Sequence, residues 1–214
     1  IFMKTYFMQK IQRHISEHRA AYIIAVFFYV LGISCGVFYY KYIGDYFSDH
    51  FGHFMESYLT YLAEGKADRL GIFFTTFFAC AKTVLFLLLS GIVPITLPVA
   101  YLIVGGRGFV FGFSAAMLFC VLKLNGFIIF LFGLLPQCIL ITPVYLFCVI
   151  CCTVRVKDKF KRMYARKKGI SPEDIQYLQM HLIALAAALP ACIYVALVMP
   201  FIMNGIYQMF VNML

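Results

Sequence analysis

Among the 214 residues there is no tryptophan, and nine are aspartate or glutamate. None of the nine falls within the five long apolar runs, Ala20–Tyr40, Gly71–Leu89, Ile95–Leu122, Phe127–Val154 and Leu178–Met199. A carboxylate at membrane depth is what proton- and cation-coupled transporters use, so its absence counts against that class. Charged residues make up 13% of the chain, about half of what a soluble domain carries. No serine has a base within its own span, and the chain is expected not to be an enzyme. The first apolar run is long and lacks a small-residue cleavage pattern, so it reads as a retained span rather than a cleavable signal.

What is abundant is apolar surface, 64% of the residues. Each run approaches or exceeds the ~20 residues that carry a helix across a bilayer. The expected fold is all-α: one integral membrane domain over residues 1–214, a polytopic bundle of five spans. Tyr22, Tyr39 and Tyr40 flank the first span and stand in for tryptophan as interfacial anchors.

The net charge of +9 is unevenly spread. Twelve of the 18 basic residues lie in residues 1–19 and 155–168. Basic clusters beside spans hold a segment in the cytoplasm against anionic lipid, so nucleic acid is not expected as a partner. Residues 1–19 read as a cytoplasmic amphipathic helix, with Phe7, Ile11 and Ile15 on its apolar side. Residues 41–70 carry Asp45, Asp49, Glu56, Glu64 and Asp68, and read as an extracytoplasmic loop. Residues 155–177 read as a basic cytoplasmic loop, after which Ser171 caps a last helix opened by Pro172. The N-terminus and basic loop are then inside the cell, and the acidic loop and C-terminus outside.

The third run is 28 residues long, and a straight helix of that length would be ~42 Å against a ~30 Å hydrocarbon core. Gly105-Gly106-Arg107-Gly108 interrupts it, and the expectation is two half-helices with a break there. Arg107 would cap the carbonyls left open by the break, with Gln137 as a second acceptor. "KLNG", residues 123–126, is expected to be a short outer turn. Pro136 and Pro143 should kink the fourth span.

Lys82 stands near the centre of the second span, where a cation costs ~3 kcal/mol to insert. It is a candidate for an ion, substrate or headgroup site, or for a snorkelling or carbonyl-bonded side chain. Gly32 and Gly36 form one GxxxG spacing, and Gly108 and Gly112 another. Such spacings allow close helix approach, either within the chain or in a homodimer. His14 and His18 in "HISEH" match a peptidase zinc spacing but lack a catalytic domain around them. His50, His53 and Glu56 could share a helical face and hold a metal; a solvated polar face is the alternative. All eight cysteines fall in or beside apolar runs, where they act as small hydrophobes. No cofactor, metal or catalytic residue is assigned.

Several blocks together resemble the stage II sporulation protein M family: "ISEHRAAYIIAVFFYVLGISCGVF", "GKAD", "FFACAKTVLFLLLSGIVPITLPVAYLIVGGRGFVFGF", "LNGF" and "LLPQCILITPVYLF". The resemblance runs with gaps from about Ile15 to Val149 and is weak in the tail. It covers Lys82, Arg107, Pro136 and Gln137 without implying a catalytic role for them. It implies a five-span protein of the mother-cell membrane that recruits and anchors two peptidoglycan-degrading partners, stage II sporulation proteins P and D, during engulfment. A permease-like or lipid-handling protein with its site at the broken third helix is the alternative.

Overall fold

A computed structural model describes residues 18–63, 68–164 and 172–211. Among the described residues every regular element is helical. Helix α1 runs Arg19–Ala63 and α2 Arg69–Ser90. A short 3-10 turn at Pro94–Thr96 leads into α3, Leu97–Ile129. A π-helical turn, Phe130–Leu134, joins α3 to α4, Leu135–Tyr164, and α5 spans Pro172–Val211. Five stretches are long and apolar enough to cross a membrane: Arg19–Gly44, Arg69–Ser90, Leu97–Leu124, Gly126–Phe160 and Ile175–Ile202. The expected bundle of five spans is what the chain forms.

Local chemistry sets the ends. Asp68 caps α2 by accepting from the Leu70 N–H at 3.1 Å, and Gly91 closes it through Leu88 O and Leu89 O. The Thr96 hydroxyl donates to Ser90 O at 2.7 Å, tying the turn shut before Pro98 opens α3.

The break expected at Gly105–Gly108 does not form. Helix α3 continues through all four residues, and its non-helical backbone is at Lys123, with φ 46° and ψ −116°. The glycines serve packing instead. Gly105 and Gly108 face the backbone of α1 at Phe28 and Tyr29, so the helix keeps its hydrogen bonds and gains a close neighbour. The chain turns at "KLNG", as the sequence suggests. Lys123 takes a backbone conformation that L-residues rarely adopt, and Gly126 follows where a Cβ would overlap Leu118 O.

Two expected loops are largely helical. Helix α1 carries residues 41–63 without interruption, and α4 carries the basic residues 155–164. Continuing a formed helix adds one hydrogen bond per residue, while starting another requires costly nucleation. The proline expectation is refined rather than mapped onto a kink: the π turn directly precedes Pro136, while Pro143 lies inside α4. Pro136 has no N–H for Phe132 O in α register. The Tyr194 hydroxyl of α5 donates to that carbonyl.

Contact order along the helices fixes their relative directions. Gly32 lies against Gly105 and Phe109, and Gly36 against Phe109 and Phe113, so α1 and α3 run parallel. Leu87 of α2 receives the Cys152 thiol of α4, while Tyr101 of α3 meets Thr153 of α4. The core between them is built of small residues, with Ala25, Ala100, Cys148, Ala188, Ala191 and Cys192 fully buried beside Leu87 and Val149. Small side chains let backbones approach where no hydrophobic force separates helix from lipid.

Residues 1–17 lie outside the described residues, so the amphipathic segment and His14 do too. The same holds for Arg166, Lys167, Lys168 and Ser171, and for the side chains of His50 and Glu56.

Candidate functional site: cations at membrane depth

Arg107 is half-buried on α3, ten residues from its start. Its Nη2 donates to Ala79 O of α2 at 3.1 Å and to the Thr83 hydroxyl. Thr83 in turn donates to Ala79 O at 3.0 Å, closing a three-group ring. The guanidinium also lies 5.1 Å from the centre of the Tyr145 ring of α4, within cation–π range. Arg107 therefore joins three helices. Its partners are on α2 and α4; the expected cap on its own helix is corrected, because unbroken α3 leaves no open carbonyls there. Gln137 is half-exposed on α4 and is not among the groups it reaches.

Tyr145 is 4% exposed, and its hydroxyl sits beside the Cys80 thiol and Thr83 without completing a hydrogen bond. Nη2 uses its two donors on Ala79 and Thr83. The donors on Nε and Nη1 meet no acceptor among the described residues. The cluster thus holds a positive charge with hydrogen-bonding capacity left over.

Lys82 lies on the same stretch of α2, three residues after Ala79 and one before Thr83. It is exposed on the outer face of the bundle and pairs with none of the described residues. Phe74, Phe78, Leu85, Phe86 and Leu89, all exposed, surround it at helical spacing. Of the sequence alternatives, the bond to interhelical carbonyls is the one that this position does not provide.

The four glycines belong to a different feature. A Cβ on Gly32 would sit 2.8 Å from the Gly105 carbonyl carbon, and one on Gly36 2.8 Å from Phe113 N. On Gly108 it would lie 3.1 Å from the Tyr29 carbonyl carbon, and on Gly112 2.9 Å from Ile33 Cα. The two GxxxG spacings bring α1 and α3 together inside one chain, which is the intramolecular one of the two alternatives that the sequence offered.

A second polar cluster, not singled out from the sequence, lies toward the α2–α3 turn. The Tyr177 hydroxyl donates to Leu88 O at 2.9 Å, and the Cys152 thiol donates to Leu87 O at 3.0 Å. His181, 1% exposed, has Nδ1 3.0 Å from Tyr177 O and Nε2 3.9 Å from the Cys152 sulfur. The Arg155 guanidinium lies 4.1 Å from the centre of the Tyr177 ring. Lys159 extends from α4 to donate to Ile92 O at 2.6 Å. The available signal was a single histidine in an otherwise apolar run. These groups tie the ends of α2, α4 and α5 together. The eight cysteines are all free thiols, and among the described residues no group of three metal-type ligands converges.

This arrangement of five spans, with the glycine seam and Arg107 inside it, lies within a match to the family model described as stage II sporulation protein M, over residues 24–203. The chain belongs to the stage II sporulation protein M family. The match extends through most of α5, to residue 203, beyond the blocks of resemblance that end near Val149. No curated protein and no solved structure matches the chain. Family membership joins the five apolar helices in making this a membrane protein of a sporulation family.

Proposed function

We propose that the chain is a non-enzymatic membrane scaffold that recruits and anchors peptidoglycan-degrading partners, stage II sporulation proteins P and D, at the engulfing membrane. The observation that carries this reading is family membership over most of the chain. The form of α1 supports it: the helix passes the apolar stretch ending at Gly44 and continues to Ala63. That extension is ~28 Å long at 1.5 Å per residue. Its sequence carries Asp45, Asp49 and Glu56, which makes it an acidic rod suited to wall-facing partners. In this reading the N-terminus and the basic end of α4 face the cytoplasm beside anionic lipid, and the acidic rod and C-terminus face outward.

Deleting residues 45–68 should abolish co-purification with proteins P and D while leaving the protein inserted. Undiminished co-purification from membranes would refute docking on the rod. The permease-like alternative drew on Lys82, Arg107, Gln137 and paired half-helices at Gly105–Gly108. Helix α3 continues through Gly105–Gly108, which removes the half-helices from that support, and family membership favours the scaffold reading.

A further inference from the structure

Lys82 stands eight residues, ~12 Å, from the Ser90 end of α2, close to mid-depth in a ~30 Å core. Helical side chains lean toward the N-terminus of their own helix. Lys82 therefore leans toward Phe78, away from the nearer membrane face, which makes snorkelling to a headgroup at the Ser90 end unfavourable. On the same turn of α2, Arg107 donates to Ala79 O and the Thr83 hydroxyl. Two cations thus share one depth at the edge of an exposed aromatic face formed by Phe74, Phe78 and Phe86.

Among the described residues no carboxylate is paired with either cation. The one acidic residue inside the five spans, Asp158, is next to Lys159, whose amine reaches the turn at Ile92. A second copy presents the same spans, with their one acid at the same end. The uncompensated charge suits a carboxylate from another molecule, and at this depth a helix is the carrier that fits.

We infer that the outer face of α2 around Lys82, with Arg107 at its edge, docks a transmembrane helix of a different protein through a carboxylate near the middle of that helix. The inference rests on the scaffold reading only in supplying its membrane-embedded contact. It requires neither wall hydrolase, so a chain that binds no hydrolase could still capture an acidic helix.

The test uses the full chain in phosphatidylcholine vesicles, with a photo-crosslinking benzoylphenylalanine in place of Phe86. The probe is a leucine-based ~23-residue spanning peptide with one central glutamate, compared with the same peptide carrying glutamine. The glutamate peptide should cross-link about tenfold more, the scale of one interhelical polar contact in lipid. Lys82→Met should reduce its yield to the glutamine level, and Lys82→Arg should restore it. Equal yields for the two peptides would overturn the inference. So would loss of the glutamate preference when phosphatidylglycerol is added, which would assign the cations to lipid phosphate. Cross-linking of Phe86 to a second copy without peptide would assign the face to self-association and overturn it too.

Discussion

Where α1 meets α3, backbone touches backbone; where α2 meets α4 and α5, hydroxyls, thiols and a guanidinium span the gap. The first seam is made by Gly32, Gly36, Gly108 and Gly112, with the rings of Tyr39 and Phe109 5.5 Å apart and tilted by 56° beside it. The second is made by Cys152, Tyr177 and His181, with Arg107 of α3 reaching across to Thr83. The difference lies in tolerance. A glycine seam has no slack, because a single methyl meets main chain that cannot rotate away. A polar seam can lose one bond and keep its packing.

The comparison breaks most readily at the glycines. Gly36→Leu or Gly108→Leu should separate α1 from α3 at a cost of about 3 kcal/mol or more, the upper range for overpacking. Unfolding in a mixed-micelle denaturant series would measure it. A change as small as that of an exposed leucine substitution would show that the seam is loose.

Next comes the carbonyl left by Pro136. Tyr194→Phe should cost about 1–2 kcal/mol, since it strands Phe132 O away from water. The same substitution in a Pro136→Ala background should cost measurably less, because the alanine N–H can then reach that carbonyl. Equal costs in the two backgrounds would argue against the pairing.

On the polar seam, Tyr177→Phe should cost about 1 kcal/mol by removing one neutral hydrogen bond to Leu88 O. Its packing beneath Arg155 should persist. The smallest effect is expected at Gly106, which has open space where a Cβ would stand. Gly106→Ala should be neutral or stabilise by up to about 1 kcal/mol through helix propensity. The contrast of Gly106 with Gly108, two residues away, is the sharpest test of the seam.

Much of this was legible in the residues. The five spans follow from runs that no soluble core needs, and the turn at "KLNG" from its short polar composition. The GxxxG spacings announced close helix approach without saying to what. Three glycines around Arg107 read equally as a break or as a contact surface, because glycine both weakens a helix and lets a neighbour in. Only the presence of Phe28 and Tyr29 opposite them decides. Loop lengths were overestimated for a related reason: charge marks where a chain leaves lipid, not where its helix ends.

The sequence by itself determined that this chain lives in a bilayer, in five helices, with cations but no acids along its apolar runs. Hydropathy and charge are properties of single residues and need no partner to be counted. Tertiary structure alone decided that the two glycine motifs meet each other, that Arg107 crosses to Ala79 and Thr83, and that Lys82 faces outward. Each is a relation between helices distant in sequence, set by rotation and depth in the packed bundle.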